Sequence, residues 1–255
     1  MTELAKCTWP EAERLLGPDT VALLPVGSTE PHGPHLPLDT DVTIALAQAR
    51  RAAERLEAAG VRTLLLPPLP YGLTNYTDGF AGRVTLKPGT LWALVEDVVE
   101  SLEQQGVERV LLVNGHLEPE HVAVLRNLCL DRPRRGPQRA QVVLADVTRR
   151  AAAATLGDEF QSGDCHAGRY ESSLVLFADP DAVREAERSA LAPVRIDLIE
   201  KMKSGVRTFR EAGADAAYCG DPAAASAAEG GQLVERLAEV ALDCARLAWP
   251  ELFDA

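Results

Sequence analysis

The densest chemistry in the chain lies in Leu24-Pro-Val-Gly-Ser-Thr-Glu30-Pro-His32-Gly-Pro-His35-Leu-Pro-Leu-Asp39-Thr-Asp41. Glu30 and His32 are two residues apart on a loop stiffened by proline and glycine, so both side chains can turn toward one point. Asp41 follows at the first turn of a helical pattern. His116 and Glu118 repeat the spaced-by-two arrangement in Asn114-Gly-His116-Leu-Glu118. Two imidazoles and three carboxylates suit one or two divalent ions such as Zn²⁺ or Mn²⁺. A carboxylate like Asp41 could bridge two ions, and a water shared between them would become hydroxide near neutral pH while a carbonyl is polarised. Each residue also has a plainer reading when taken singly. Asp41 could stabilise a helix N-terminus, as could Asp39 or Thr40. Glu30 could be an exposed loop residue, and His116 could donate within a turn. His35, between Pro34 and Leu36, reads as a packed loop residue or as support for a ligand.

These residues need elements to bring them together. Val21–Val26 is a short apolar run that reads as a buried strand, ended by Gly27. Thr40–Gly60 has apolar residues near one helical face and a glycine stop. Val61–Leu66 and Val107–Val113 read as strands, 89–105 and 119–130 as helices, and Ala140–Val147 as a further strand. Residues 71–86 form a polar, glycine-punctuated loop expected to run into a short strand, and such a long irregular segment is often functional. The arginine-rich piece Asp131–Arg139 reads as a solvated surface connection. An apolar run ending at Asp179-Pro180 marks a helix stop, residues 190–230 are the least legible, and a last helix is expected from about Gly231 to Leu247. Strands alternating with helices call for an α/β fold, a mostly parallel sheet with helices on both faces. Sites in such sheets form beyond the carboxyl ends of the strands. The loop after Val26 and the turn after Val113 are therefore expected at the same edge.

The chain has 255 residues, 46% of them hydrophobic, enough for one domain spanning 1–255 with a full core. A formal net charge of −12 argues against nucleic acid or anionic membrane as a partner. The five cysteines are irregularly spaced and form no CxxC pair, so a disulfide framework or zinc ribbon is not expected and a reducing cytoplasm is. Cys165, beside His166, is a minor nucleophile candidate. No signal-peptide pattern and no bilayer-length apolar run is present, so a cytoplasmic protein is expected.

Three segments in order carry a family resemblance. Pro25-Val-Gly-Ser-Thr-Glu30-Pro-His32-Gly-Pro-His35-Leu-Pro-Leu-Asp-Thr-Asp41 resembles the opening signature of the creatininase (creatinine amidohydrolase) family. Val113-Asn-Gly-His116 is similar to its second signature, and His166-Ala-Gly-Arg-Tyr-Glu171-Ser-Ser to its third. The resemblance implies a three-layer α/β sandwich with a dinuclear metal centre, holding Zn²⁺, Mn²⁺ or both, that hydrolyses a C–N bond of a small linear or cyclic amide. By position, Glu30, Asp41 and His116 would hold one metal. His32, Asp41 and Glu118 would hold the other, with Asp41 bridging. His166 would handle protons, and Glu171 would lie near the metals as ligand, support or base. The family also includes deformylases and peptidases, and often forms hexamers, so a homo-oligomer is expected.

The departures lie outside the opening loop. Leu117-Glu118-Pro119 stands where many members have Gly-Gly-Asn. In the middle loop, which supplies Thr74 and Arg83 as expected substrate contacts, Thr77 replaces a histidine and Arg83 a threonine. On the surface Arg83 is only a solvated charge; turned into the site it would imply a carboxylate or phosphate on the substrate. Ser162 stands where creatininase has a tryptophan covering the substrate, which argues against a creatinine-specific pocket. The alternative reading is a non-catalytic metal-binding or scaffolding subunit that retains the fold.

Overall fold

The computed structural model describes residues 1–136 and 140–253. Among the described residues four strands form one all-parallel sheet: β1 (Thr20–Val26), β2 (Arg62–Leu65), β3 (Arg109–Asn114) and β4 (Gln141–Leu144), in the spatial order β2-β1-β3-β4. The helices are α1 (Trp9–Leu15), α2 (Thr40–Ala58), α3 (Pro88–Glu103), α4 (Pro119–Asp131), α5 (Arg150–Ala153), α6 (Asp158–Ser162), α7 (Arg169–Ala178), α8 (Glu185–Ala190), α9 (Leu198–Lys203), α10 (Phe209–Ala212) and α11 (Ala227–Ala248). The expected mostly parallel sheet with helices on both faces is what the chain forms.

Alternation along the strands divides the core. Ala22, Leu24 and Val26 of β1, with Val110 and Leu112 of β3, pack on α3 and α4. Val21 and Leu23, with Leu111 and Val113, face the other way and pack on α2 and α11. The hand of the crossovers explains this. The step from β1 to β2 runs in one direction across the sheet, and the steps to β3 and β4 run in the other. Right-handed crossovers in opposite directions put their helices on opposite faces. The reversal lies between β1 and β3, where the carboxyl ends of the two strands leave a crevice.

Two glycines let α2 reach that crevice. A Cβ on Gly27, after β1, would come within 2.7 Å of the Val42 nitrogen. A Cβ on Gly115, after β3, would lie 2.2 Å from the Asp41 carbonyl oxygen. No other residue allows the first turn of α2 to sit on both strand ends at this distance. The same device joins α11 to α7, where a Gly230 Cβ would meet the Ser173 carbonyl at 1.9 Å. Ser226 caps α11 by accepting the Glu229 N–H, so this helix begins four residues before the expected Gly231.

Other differences are local. No strand forms over 71–86; Val84 and Thr85 make only single bridges to Thr29 and Gly72. The arginine-rich connection is not wholly solvated. Arg132 is buried and donates to Glu96 (2.7 Å), Glu103 and the Ala140 carbonyl (3.3 Å). Residues 137–139 of that connection lie outside the described residues. Among the described residues no helix is long and apolar enough to cross a membrane.

Candidate metal centre

The loop from Gly27 to Asp39 closes on itself through the Glu30 N–H, which donates to the Leu38 carbonyl at 3.0 Å. Gly33 takes a positive φ and donates to the Ala217 carbonyl, fixing the loop against a distant segment. Glu30, His32 and Asp41 are thereby buried, at 2%, 0% and 1% exposure, where an uncompensated charge would be costly. They compensate one another. His32 Nε2 lies 3.2 Å from Asp41 Oδ1, 3.5 Å from Glu171 Oε2 and 3.9 Å from Glu30 Oε1. His116 Nδ1 lies 2.9 Å from Asp41 Oδ2 and 3.2 Å from Glu30 Oε1.

The far side of each ring is tied to backbone. His32 Nδ1 is 3.0 Å from the Glu30 carbonyl, His116 Nε2 bonds the Leu73 carbonyl, and His166 Nε2 is 3.0 Å from the Pro31 carbonyl. A carbonyl only accepts, so the N–H sits on that side in all three rings. His32 Nε2, His116 Nδ1 and His166 Nδ1 are left facing carboxylates, the last 4.0 Å from Glu30 Oε1. Backbone carbonyls orienting imidazoles in this way are the usual outer support of a metal ligand. Among the described residues three groups have donor atoms close enough for one ion: Glu30, Asp41 and His116; His32, Asp41 and Glu171; and Glu30, His32 and His166.

The electrostatics agree. Burial works against a charged His32, yet Asp41, Glu171 and Glu30 outweigh it and hold the ring up at about 10. His116 is raised for the same reason by Glu30 and Asp41. Despite burial, His116 keeps Glu30 low, while His32 and His116 hold Asp41 well below the usual range. Protons on the rings and a divalent cation are alternative ways to neutralise these carboxylates. Burial pushes Glu171 up to about 8, with Asp41 and Glu30 adding to it. Burial brings Glu118 to about 7. His166 goes the other way, held at about 4 by burial and the nearby His32.

The structure brings Glu30, His32, Asp41, His116, His166 and Glu171 together. Glu118 stands apart from the three donor groups. Its Oε2 accepts the Tyr76 N–H at 3.1 Å and its Oε1 is buried without a hydrogen bond, and the residue lines a cavity together with Glu30, Asp41, His116, His166 and Glu171. Thr74 and Arg83 do not line that cavity. Thr74 is buried with its N–H on Thr85 Oγ1, and Arg83 pairs with Asp78 at 2.8 Å. Thr77 sits between Glu30 Oε2 (3.1 Å) and the Thr74 carbonyl (3.0 Å). Cys165 is buried and its thiol is pushed well above its ordinary value by burial and by Glu171, which leaves no thiolate for nucleophilic work. His35 is a supporting residue, with Nε2 2.8 Å from Ser172 Oγ.

Several contributors carried no sequence expectation. Ser28 donates to Asp41 Oδ2 at 2.6 Å. His121 accepts the Leu73 N–H at Nδ1 and bonds Asn114 Oδ1 through Nε2 at 3.0 Å, while Asn114 in turn donates to the His116 carbonyl. Phe209 stacks on His166, with centroids 4.2 Å apart at 18°. One signal for it was present, the Thr208-x-x-Glu211 capping box that starts α10. Ala167, next to His166, takes a φ of 49°, and its N–H donates to Glu171 Oε2 at 2.7 Å. Backbone held in that region by its surroundings is common beside functional groups.

Comparison with known proteins follows the same lines. The family pattern described as creatininase, creatinine amidohydrolase, matches residues 5–244. A mycofactocin precursor peptide peptidase of Mycolicibacterium smegmatis is 34% identical over 229 residues, covering 88% of this chain and 83% of that protein. A creatinine amidohydrolase of Pseudomonas putida is 36% identical over 121 residues, 45% of each chain. Among solved structures, a manganese creatininase superposes with a TM-score of 0.74 at 25% identity, covering 98% of this chain and 99% of that one.

Proposed function

The chain belongs to the creatininase family, and on that premise we propose that it is a metal-dependent hydrolase cleaving the C–N bond of an amide. The observation that carries the reading is the common orientation of His32, His116 and His166, each with one nitrogen on a backbone carbonyl and the other aimed at carboxylates. The residues fit a pair of divalent ions, Zn²⁺, Mn²⁺ or one of each. Glu30, Asp41 and His116 would hold one, and His32, Asp41 and Glu171 the other, with Asp41 common to both. His32 Nε2 is buried beside Asp41 without hydrogen-bond geometry, and a ligated ion would satisfy it. When bound, such ions supply Lewis acidity toward a carbonyl and lower the pKa of water.

The chain's own groups handle substrate and protons. The cavity gives an amide room beside Glu30, Asp41, Glu118 and Glu171, which are themselves buried. His166 is neutral and accepts a proton at Nδ1, because its Nε2–H is committed to the Pro31 carbonyl. Phe209 fixes the plane of that ring. Glu118, raised by burial to about 7 and lining the cavity, is a carboxyl able to exchange a proton with the leaving nitrogen near neutrality. The longer sequence match is to a peptide peptidase, which favours a peptide-like amide over a small cyclic one.

Elemental analysis of protein purified without added metal should find about two divalent ions per chain, as a paired site requires. A hydrolysis screen over short peptides, formamides, lactams, cyclic ureides and creatinine, with Mn²⁺ or Zn²⁺, should find a chelator-sensitive amide substrate. A chain that binds no metal and hydrolyses no amide refutes the proposal.

A further inference from the structure

The carboxylates and imidazoles open into a cavity of about 340 Å³, a volume suited to a small ligand or one side chain. Its wall has two parts of opposite character. Leu117, Phe160, Leu198, Ile199, Met202 and Phe209 form an apolar side. The ionisable side chains that face it include Glu30, Asp41, Glu118 and Glu171 together with His116 and His166, and among the described residues no lysine or arginine lines it. The guanidinium that could have received an anionic substrate, Arg83, is turned to Asp78.

The apolar side is held in place. Asp164 accepts the N–H groups of Ile196, Asp197 and Leu198 at 2.9, 3.1 and 2.9 Å, and so anchors the start of α9, the helix that carries Ile199 and Met202. Asp197 takes a φ of 52° to enter the helix under this clamp. Ile199 packs on the glycine beside the clamp, since a Gly163 Cβ would fall 2.5 Å from Ile199 Cγ1. Ile199 nevertheless remains 40% exposed at the rim, an apolar side chain that the fold leaves in water beside its polar site.

We propose that the substrate carries a bulky, uncharged apolar side chain adjoining the scissile C–N bond, received against Leu198, Ile199, Met202 and Phe209, and that acidic substrates are excluded. The assignment rests on the hydrolase reading above, whose ions would fix the amide at the polar end. Burying a branched aliphatic tail against this wall favours it over a solvated one by about 30-fold in binding. A carboxylate in the same place would be desolvated against apolar side chains, with no lysine or arginine among the described lining residues to pair with it.

The test uses two hydroxamates of equal reach, isocaproyl hydroxamate and succinyl monohydroxamate. They share the metal-binding head and differ only in an isopropyl or a carboxylate end. Calorimetric titration of the metal-loaded protein should give a Kd at least ~30-fold lower for the isocaproyl probe. Ile199→Lys, at the exposed rim, and Met202→Lys should each cut that preference by about tenfold or more, by placing a cation on the wall. Equal Kd values, tighter binding of the succinyl probe, no binding of the isocaproyl probe, or a preference unchanged in both variants would overturn the assignment. Metal content measured on the same samples separates the two readings. A metal-loaded protein without the preference loses only the substrate class, whereas a protein that takes up no metal loses the hydrolase reading as well.

Discussion

Replacing Asp41 by Asn should abolish the stabilisation that metal gives this protein. Asp41 is the carboxylate common to two of the donor groups, with Oδ1 3.2 Å from His32 Nε2 and Oδ2 2.9 Å from His116 Nδ1. Asparagine keeps the shape, and one oxygen can still accept from Ser28, but the charge and the second acceptor are lost. Metal bound at about 100 times its Kd stabilises the native state by about 2.7 kcal/mol per site. For a chain of this size that raises the unfolding midpoint by roughly 5–11 °C. Groups that merely orient ligands change affinity by about 10–100-fold, so a ligand common to both ions should cost at least about 100-fold. At the same metal concentration the variant then sits near its Kd, and the remaining stabilisation is about 0.4 kcal/mol, a shift of roughly 1–2 °C. The assay is thermal unfolding of wild type and variant, each with excess chelator and with Mn²⁺ or Zn²⁺. The readout is the difference between the two conditions, because losing Asp41 also removes a partner of two buried imidazoles and changes the metal-free stability itself. An equal metal-linked shift in wild type and variant would show that Asp41 is not a shared ligand, and the assignment built on it would fall.

Three further outcomes are expected. Glu171→Gln should lower the bound metal from about two ions to about one, while Glu118→Gln should keep both and lower kcat, as elemental analysis and steady-state kinetics will show; the reverse pattern would exchange the two roles. Gly115→Ala should cost about 3 kcal/mol in urea unfolding and weaken metal binding, because its Cβ needs the space of the Asp41 carbonyl at the start of α2; a neutral effect would mean that α2 need not sit on β3. His35 is held at about 4 by burial and the nearby His32, below its ordinary value of about 6.5, so the unfolded chain takes up this proton first. Its contribution is intact above about pH 6.5 and is lost progressively as pH falls toward about 4, so His35→Asn should flatten that acid limb by about 2–3 kcal/mol, measured by urea unfolding in chelator; an unchanged limb would rule the contribution out.

The fold and half of the site were legible for the same reason. Signals that act over a few residues need no knowledge of the rest of the chain. The apolar runs of β1 and β3, the glycines that follow them and the periodicity of α2 place Glu30, Asp41 and His116 at one sheet edge by topology alone. The spacing of Glu30 and His32 in a stiff loop, and the run from His166 to Glu171, carry the family resemblance within the sequence itself.

What the sequence left open depends on distance between segments. Glu118 and Glu171 are both plausible carboxylate ligands on the line of sequence. The fold gives them different surroundings: the Tyr76 N–H bonds Glu118 Oε2, while the turn at Ala167 brings Glu171 to His32. Phe209 reaches His166 from 43 residues away, and Asp164 holds the start of α9 from 32 to 34 residues away. Neither contact has a period or a motif, since a hydrogen bond or a stacked ring needs only that two atoms be brought close, and any loop length between them will serve. The donor chemistry was therefore written locally in the chain. Which donor atoms come within reach of one another, and which apolar wall lies beside them, were decided by how distant segments close over the crevice between β1 and β3.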